Sequence, residues 1–252
     1  MALLAAGGIT RQIDLVIFDK DGTLVDFDLL WTSKLASAVS GIMAQAGPVP
    51  GLVPALHNAI GYDSTSGRVV AESPLAVSTL ARLETVCATV LYQHGLPWHR
   101  AETLAVQYFM PAFLAAPGRE HLAPIGDIAG LFANLKRAGV QVAVCTSDNR
   151  LPTGAALALL GLGPMVDHIV CGDDAHASKP APDGLLHLAR LHGVAPGRMA
   201  MAGDSAGDML AGRAAGAGLT VGVLSGTGKA EDMAAMADVI VADIHAIRLA
   251  GG

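Results

Sequence analysis

A chain of 252 residues is long for one layered domain and short for two ordinary ones, which favours a single core carrying a large insertion. Hydrophobic residues make up 52% and charged residues 15%, yet no apolar run reaches the roughly 18 residues of a membrane span, so the chain reads as soluble. A net charge of -6 argues against nucleic acid or an anionic membrane as the main partner and leaves small molecules open.

The apolar start, Met1 to Ile9, lacks a basic leading segment and runs through Gly7-Gly8 into the next stretch, so no export signal is expected. Ile13, Leu15, Val16, Ile17 and Phe18 then form a nearly unbroken apolar run, which predicts a strand buried on both faces at the centre of a parallel sheet. Asp19 and Asp21 follow where the chain leaves that strand, and Gly22 permits a tight turn. Two carboxylates this close repel unless a cation bridges them or one keeps a proton. As chemistry, a magnesium ion would neutralise the pair, leaving one carboxylate to attack phosphorus and the other to exchange a proton with the entering or leaving oxygen. As structure, Asp21-Gly22 is a turn after a strand. Lys20, between the acids, reads as solvated or rim-facing.

From Leu29 to Gly118 only helices and loops are expected. Trp31, Leu35, Val39, Ile42 and Ala46 recur at helical spacing up to a stop at Gly47-Pro48. A shorter helix follows from Val53 to Ile60, then a polar loop from Tyr62 to Arg68. Ser73-Pro74 opens a helix with an apolar stripe at Ala76, Leu80, Leu83, Cys87 and Val90, closed by Gly95. A last helix begins near Trp98 and is broken or kinked at Pro111. Residues 115 to 118 read as the return linker.

Helix and strand then alternate: a helix from Ile125 to Ala138, strands at Val140 to Cys145, Val166 to Val170, Met199 to Ala202, Leu219 to Leu224 and Val239 to Val241, with helices between them. Such alternation implies a mostly parallel, doubly wound α/β sheet with helices on both faces. Ligands bind such sheets outside the carboxyl ends of the strands. Polar residues gather at four such places: Asp19 with Asp21, Thr146 with Ser147, Lys179 in its loop, and Asp204 with Asp208. Each alone has an ordinary structural reading as a turn former, surface charge or helix cap. Together they supply a nucleophile, hydroxyls and a fixed cation for phosphate oxygens, and acids for a metal.

The stretches FDKDGTL (Phe18 to Leu24), CTSD (Cys145 to Asp148), SKPAPD (Ser178 to Asp183) and GDSAGD (Gly203 to Asp208) resemble the four motifs of the haloacid dehalogenase superfamily, in its phosphoglycolate phosphatase-like branch. The resemblance implies a Rossmann-like core made of residues 1–28 and 119–252, with residues 29–118 as an inserted helical cap of type 1. It implies Asp19 as nucleophile, Asp21 as general acid and base, and Thr146, Ser147 and Lys179 as phosphoryl-binding residues. It implies Mg2+ held by the Asp19 carboxylate, the Asp21 backbone carbonyl and Asp204, with Asp208 in support. Dehalogenase-like members lack an acid two residues after the nucleophile, so Asp21 favours phosphate esters.

The stretch GVLSGTGKA (Gly222 to Ala230) looks like a nucleotide-binding loop, but its glycine spacing is wrong and alanine follows Lys229 where the magnesium hydroxyl should be, so it is set aside. The nine histidines show no zinc spacing. Three cysteines, Cys87, Cys145 and Cys171, without CxxC spacing suit packing thiols in a reducing cytoplasm. The expected cap carries four basic and four acidic residues, so its charge points to no particular substrate. The expectation is a cytoplasmic, magnesium-dependent phosphatase, monomer or homodimer, acting on a small-molecule phosphate ester such as phosphoglycolate or a sugar phosphate. A phosphomutase and a catalytically silent metabolite-binding protein are the alternatives.

Overall fold

The structure, a computed structural model, describes residues 2–250. The backbone divides into two compact units, one of Met1–Phe27 with Leu122–Gly252, the other of Asp28–His121.

The first unit opens with a hairpin of β1 (Leu3–Ala6) and β2 (Ile9–Gln12), antiparallel around Gly7-Gly8. Both turn glycines have positive φ, 52° and 87°, the backbone that a two-residue hairpin turn requires. The expectation of an apolar lead-in missed this hairpin because each strand is only four residues long. The run singled out in the sequence forms β3 (Leu15–Phe18), with every residue buried.

The second unit is mainly helical. It contains α1 (Phe27–Ala46), α2 (Leu52–Ile60), a two-stranded ribbon of β4 (Tyr62–Asp63) and β5 (Arg68–Val69), α3 (Pro74–Val77), α4 (Leu80–Gln93), α5 (Trp98–Leu104) and α6 (Met110–Leu114). Two expectations are corrected here, and the break expected at Pro111 takes a specific form. The polar loop at 62–68 is a ribbon, tied down where the Asp28 carboxylate accepts the Val69 N–H at 2.8 Å and pairs with Arg68 at 2.9 Å. The single helix expected after Ser73 is two, because Ser78 and Thr79, both weaker helix formers than the flanking Ala and Leu, take extended backbone. The disturbance near Pro111 is a wide helical turn over Ala105–Phe109 directly ahead of it, where the missing proline N–H interrupts the ladder. Trp31 and Phe113 pack 5.7 Å apart, and the buried Lys34 ammonium takes up the carbonyls of Phe113 and Ala115 at the end of α6.

The first unit resumes with α7 (Ile128–Arg137), β6 (Gln141–Cys145), α8 (Arg150–Leu159), β7 (His168–Val170), α9 (Asp183–Leu191), β8 (Met199–Gly203), α10 (Ala206–Ala214), β9 (Leu219–Val223), α11 (Ala230–Met233), β10 (Val239–Val241) and β11 (Arg248–Leu249). The α7 helix starts later than expected, since the Asp127 carboxylate caps it by accepting the Gly130 N–H at 2.8 Å. β11 joins β1 in the small sheet. The main sheet runs β10, β9, β8, β3, β6, β7 with every pair parallel, the doubly wound α/β architecture expected from the alternation. Leu15 and Ile17 belong to one core cluster with Leu185 and Leu188 of α9 and Ala211 of α10, while Phe18 stacks on Phe132 of α7 at 5.1 Å. β3 is therefore covered on both faces, which is why its sequence does not alternate. Burying side chains of this size contributes about 1.5–3 kcal/mol each. The three cysteines are free and buried, and burial pushes the Cys87 and Cys145 thiols up to about 12. No described helix is long and apolar enough to cross a membrane.

Candidate active site

With β3 between β8 and β6, the carboxyl ends of these three strands bring together residues distant in sequence. The Asp19 N–H still bonds across the sheet to the Ala202 carbonyl at 2.8 Å, and then the chain turns. The Lys20 carbonyl accepts from Leu24 and Val25, and Gly22, at φ 81°, donates to the Val25 carbonyl at 2.7 Å. This tight loop leaves Asp19 and Asp21 buried at the tip.

Lys179 arrives from the loop ahead of α9, and all three donors of its ammonium are used: Asp19 Oδ1 at 2.6 Å, Asp208 Oδ1 at 2.6 Å and the Cys145 carbonyl at 3.0 Å. Asp208 in turn belongs to the start of α10. Its Oδ2 accepts from the Ser205 N–H and hydroxyl while Ser205 Oγ accepts the Asp208 N–H, a reciprocal cap. Asp208 is thus fixed at both oxygens. Thr146 is buried at the tip of β6, its Oγ1 accepting the Asp148 N–H at 3.1 Å, whereas Ser147 beside it is exposed.

Asp204 directly follows β8 and sits inside a cradle of backbone. The Thr227 N–H donates to its Oδ2 at 2.8 Å, and a Cβ placed on Gly226 would fall 1.9 Å from that oxygen. Ser225 bonds the Gly22 carbonyl at 2.7 Å, joining the cradle to the β3 loop. The stretch set aside as a failed nucleotide loop is therefore part of the site. Its role lies in backbone N–H groups and close approach, and the one legible sign was glycine repeated just after a strand.

Lys20 is corrected outright. It is 1% exposed, with its Nζ 2.5 Å from Asp21 Oδ1 and 3.0 Å from Asp148 Oδ2. A lysine can be buried when flanking carboxylates compensate its lost hydration, and Asp148, at the tip of β6, is the partner that sequence reading did not supply.

Five buried carboxyl groups, those of Asp19, Asp21, Asp148, Asp204 and Asp208, lie at this end of the sheet, where Lys20 pairs with Asp21 and Asp148 and Lys179 pairs with Asp19 and Asp208. Burial pushes the Asp19 carboxyl up to about 7, against the pull of Lys179 and with a further push from Asp208 and Asp21. Burial, then Asp19 and Asp208, raise Asp204 well above the usual carboxylate range. Burial alone would lower both amines, but Asp19 and Asp208 hold Lys179 high, and Asp21 and Asp148 do the same for Lys20. Asp19, Asp204 and Asp208 each offer a carboxylate oxygen, and the three oxygens lie within 4.8 Å of one another. An excess of acid presenting only hard oxygen donors fits a divalent cation such as magnesium, manganese or calcium. The Asp21 carboxylate is outside that cluster.

Fold and site together define a doubly wound α/β protein with a buried acidic cluster at the carboxyl edge of its sheet. The chain belongs to the haloacid dehalogenase-like hydrolase family, whose model matches residues 13–216. It is 29% identical over 224 residues to a phosphoglycolate phosphatase of Neisseria meningitidis, covering 86% of this chain and 83% of that one. It is 30% identical over 226 residues to phosphoglycolate phosphatase 1 of Pseudomonas aeruginosa, covering 88% and 75%. Among solved structures, a 2-haloacid dehalogenase from Pseudomonas syringae has the same fold, with a TM-score of 0.61, 22% identity and coverage of 92% and 95%.

Proposed function

We propose that this chain, a phosphoric monoester hydrolase by family and relatedness, transfers phosphoryl from a small phosphorylated metabolite to Asp19 and then to water, with Mg2+ as cofactor. The observation that carries the reading is the ion pair of Asp19 with Lys179 at the tip of β3, with a second acid, Asp21, two residues on. Since the same fold also serves a 2-haloacid dehalogenase, fold alone does not choose the chemistry. Asp21 favours ester hydrolysis, because an ester oxygen must be protonated as it leaves.

In this mechanism an Asp19 oxygen bonds to phosphorus as the ester P–O bond breaks, and Asp21 gives its proton to the departing oxygen. Asp21, now a carboxylate, takes a proton from water as the water oxygen attacks the aspartyl phosphate, releasing inorganic phosphate and restoring Asp19. Lys179 holds the Asp19 carboxylate in place and offsets the charge around the phosphoryl group, whose oxygens bond to the hydroxyls of Thr146 and Ser147. The Asp19 carboxylate, the Asp21 backbone carbonyl and Asp204 would hold magnesium, which supplies positive charge between a phosphate dianion and an anionic nucleophile. Asp208 positions Lys179.

The names of the relatives make 2-phosphoglycolate the first substrate to try. The helical unit of residues 28–121 is assigned the choice of substrate. Three free cysteines suit a reducing compartment, and the cytoplasm is the proposed location. A screen of phosphorylated metabolites with and without magnesium tests the reading. Magnesium-dependent phosphate release from a small ester supports it, and a phosphorylated sugar as the sole product would instead make the chain a mutase.

A further inference from the structure

We infer that Lys20 is a positioning residue, which sets the orientation of the Asp21 carboxyl for proton exchange by anchoring it to Asp148 across the tips of two neighbouring strands. The inference rests on the mechanism proposed above and adds to it a residue whose ion pairs are with Asp21 and Asp148, outside the cluster of Asp19, Asp204 and Asp208.

Three observations carry it. The Lys20 side chain is buried between acids that come from different strands, Asp21 after β3 and Asp148 after β6. Its contact with Asp21 Oδ1, 2.5 Å, is a hydrogen bond and is shorter than the 3.0 Å to Asp148 Oδ2. Asp148 itself is held in place, its Oδ1 accepting the Asn149 N–H at 2.8 Å. An apolar side chain would fill the same volume without the desolvation of an ammonium or the loss of its rotamer entropy. If the only purpose of Lys20 were to neutralise Asp148, its closer contact would not be with Asp21. Holding one oxygen of Asp21 fixes the plane of the carboxyl, and with it the direction in which its proton leaves. A misplacement of about 1 Å in a reacting group can lower a rate by about 10²-fold.

The double variant Lys20→Met/Asp148→Asn tests this, because it removes the ammonium together with the charge of Asp148 and leaves only the Asp21 carboxyl to adjust, which the mechanism itself holds protonated before the first step. Its melting temperature should stay close to that of the parent enzyme. With p-nitrophenyl phosphate, whose leaving group needs little protonation, the first-turnover burst and the label on Asp19 should persist. With the best alkyl phosphate of the metabolite screen, 2-phosphoglycolate being tried first, kcat should fall by about 10- to 100-fold while KM changes little. Parental alkyl-ester turnover in the folded double variant would overturn the inference, leaving Lys20 as a counter-ion of Asp148. A double variant that does not fold would overturn it too, by making Lys20 structural. Absence of label on Asp19 in the parent enzyme would remove the mechanism itself, a result distinct from either.

Discussion

Lys179 and Asp19, 160 positions apart in the chain, meet at 2.6 Å, ammonium to carboxylate, in a setting where both side chains are about nine-tenths buried. The lysine is itself held by Asp208 and the Cys145 carbonyl, so its place relative to Asp19 is set before any substrate arrives. Replacing it by methionine strands two buried carboxyl groups. Lys179→Met should lower kcat/KM by about 10²–10³-fold, as loss of one charge-stabilising donor does elsewhere, and should destabilise the protein by about 3–5 kcal/mol, the usual consequence of breaking a buried pair from one side. Steady-state kinetics and denaturant unfolding check the two halves separately. An enzyme that lost stability but kept its rate would take Lys179 out of the chemistry.

The cradle of Asp204 makes a prediction about the metal. Gly226→Ala would set a methyl group against Asp204 Oδ2, so the magnesium concentration for half-maximal activity should rise by about 10-fold or more, a loss typical of displaced ligand support. Asp204→Asn should do the same while its amide oxygen still accepts the Thr227 N–H and the fold survives. Gly154→Ala serves as control. Nothing stands within 4 Å of the added methyl, and a helical Gly-to-Ala change should add about 0.5–1 kcal/mol without altering metal dependence. Full activity after thorough chelation would remove the cation from the mechanism.

Acid stability can be read at the other edge of the sheet. Burial alone would raise the Asp167 carboxyl, but the Lys136 ammonium at 2.5 Å and the Val142 N–H at 3.0 Å outweigh it and hold it below its ordinary 3.8. A carboxyl depressed on folding contributes stability that is present above its unfolded value and is lost as pH falls through the folded one. The melting temperature of the parent should therefore exceed that of Asp167→Asn at about pH 5 to 6, and the gap should close towards about pH 2. A gap independent of pH would show that hydrogen bonding, not charge, is what Asp167 provides.

The parallel core was legible because burial on both faces leaves an apolar run that no half-exposed strand would have, as Val16 to Phe18 shows. The acids and Thr146 were legible because strand tips in a parallel sheet converge whatever lies between them in sequence. Lys20 was not, since a lysine beside two aspartates looks like a solvated charge until the third acid, Asp148, is brought in by β6. The Asp204 cradle was hidden for a different reason: Ser225 to Gly228 act largely through backbone, and side-chain chemistry says little about that. The β4 and β5 ribbon is too short for periodicity to register, and the break at Ser78 and Thr79 interrupts a stripe whose apolar spacing continues on both sides of it.

The central claim gives two similar carboxylates different work, and one measurement separates them. Asp21→Asn keeps the nucleophile and loses the proton carrier, so steady-state turnover should fall by about 10²–10⁴-fold. With an activated aryl phosphate the first step suffers less than hydrolysis of the intermediate, so aspartyl phosphate should accumulate. Mass spectrometry of rapidly quenched Asp21→Asn enzyme should find one added phosphoryl group on the peptide containing Asp19, and none in the Asp19→Asn control. A phosphoryl group on any other residue, or undiminished turnover by Asp19→Asn, would contradict the account.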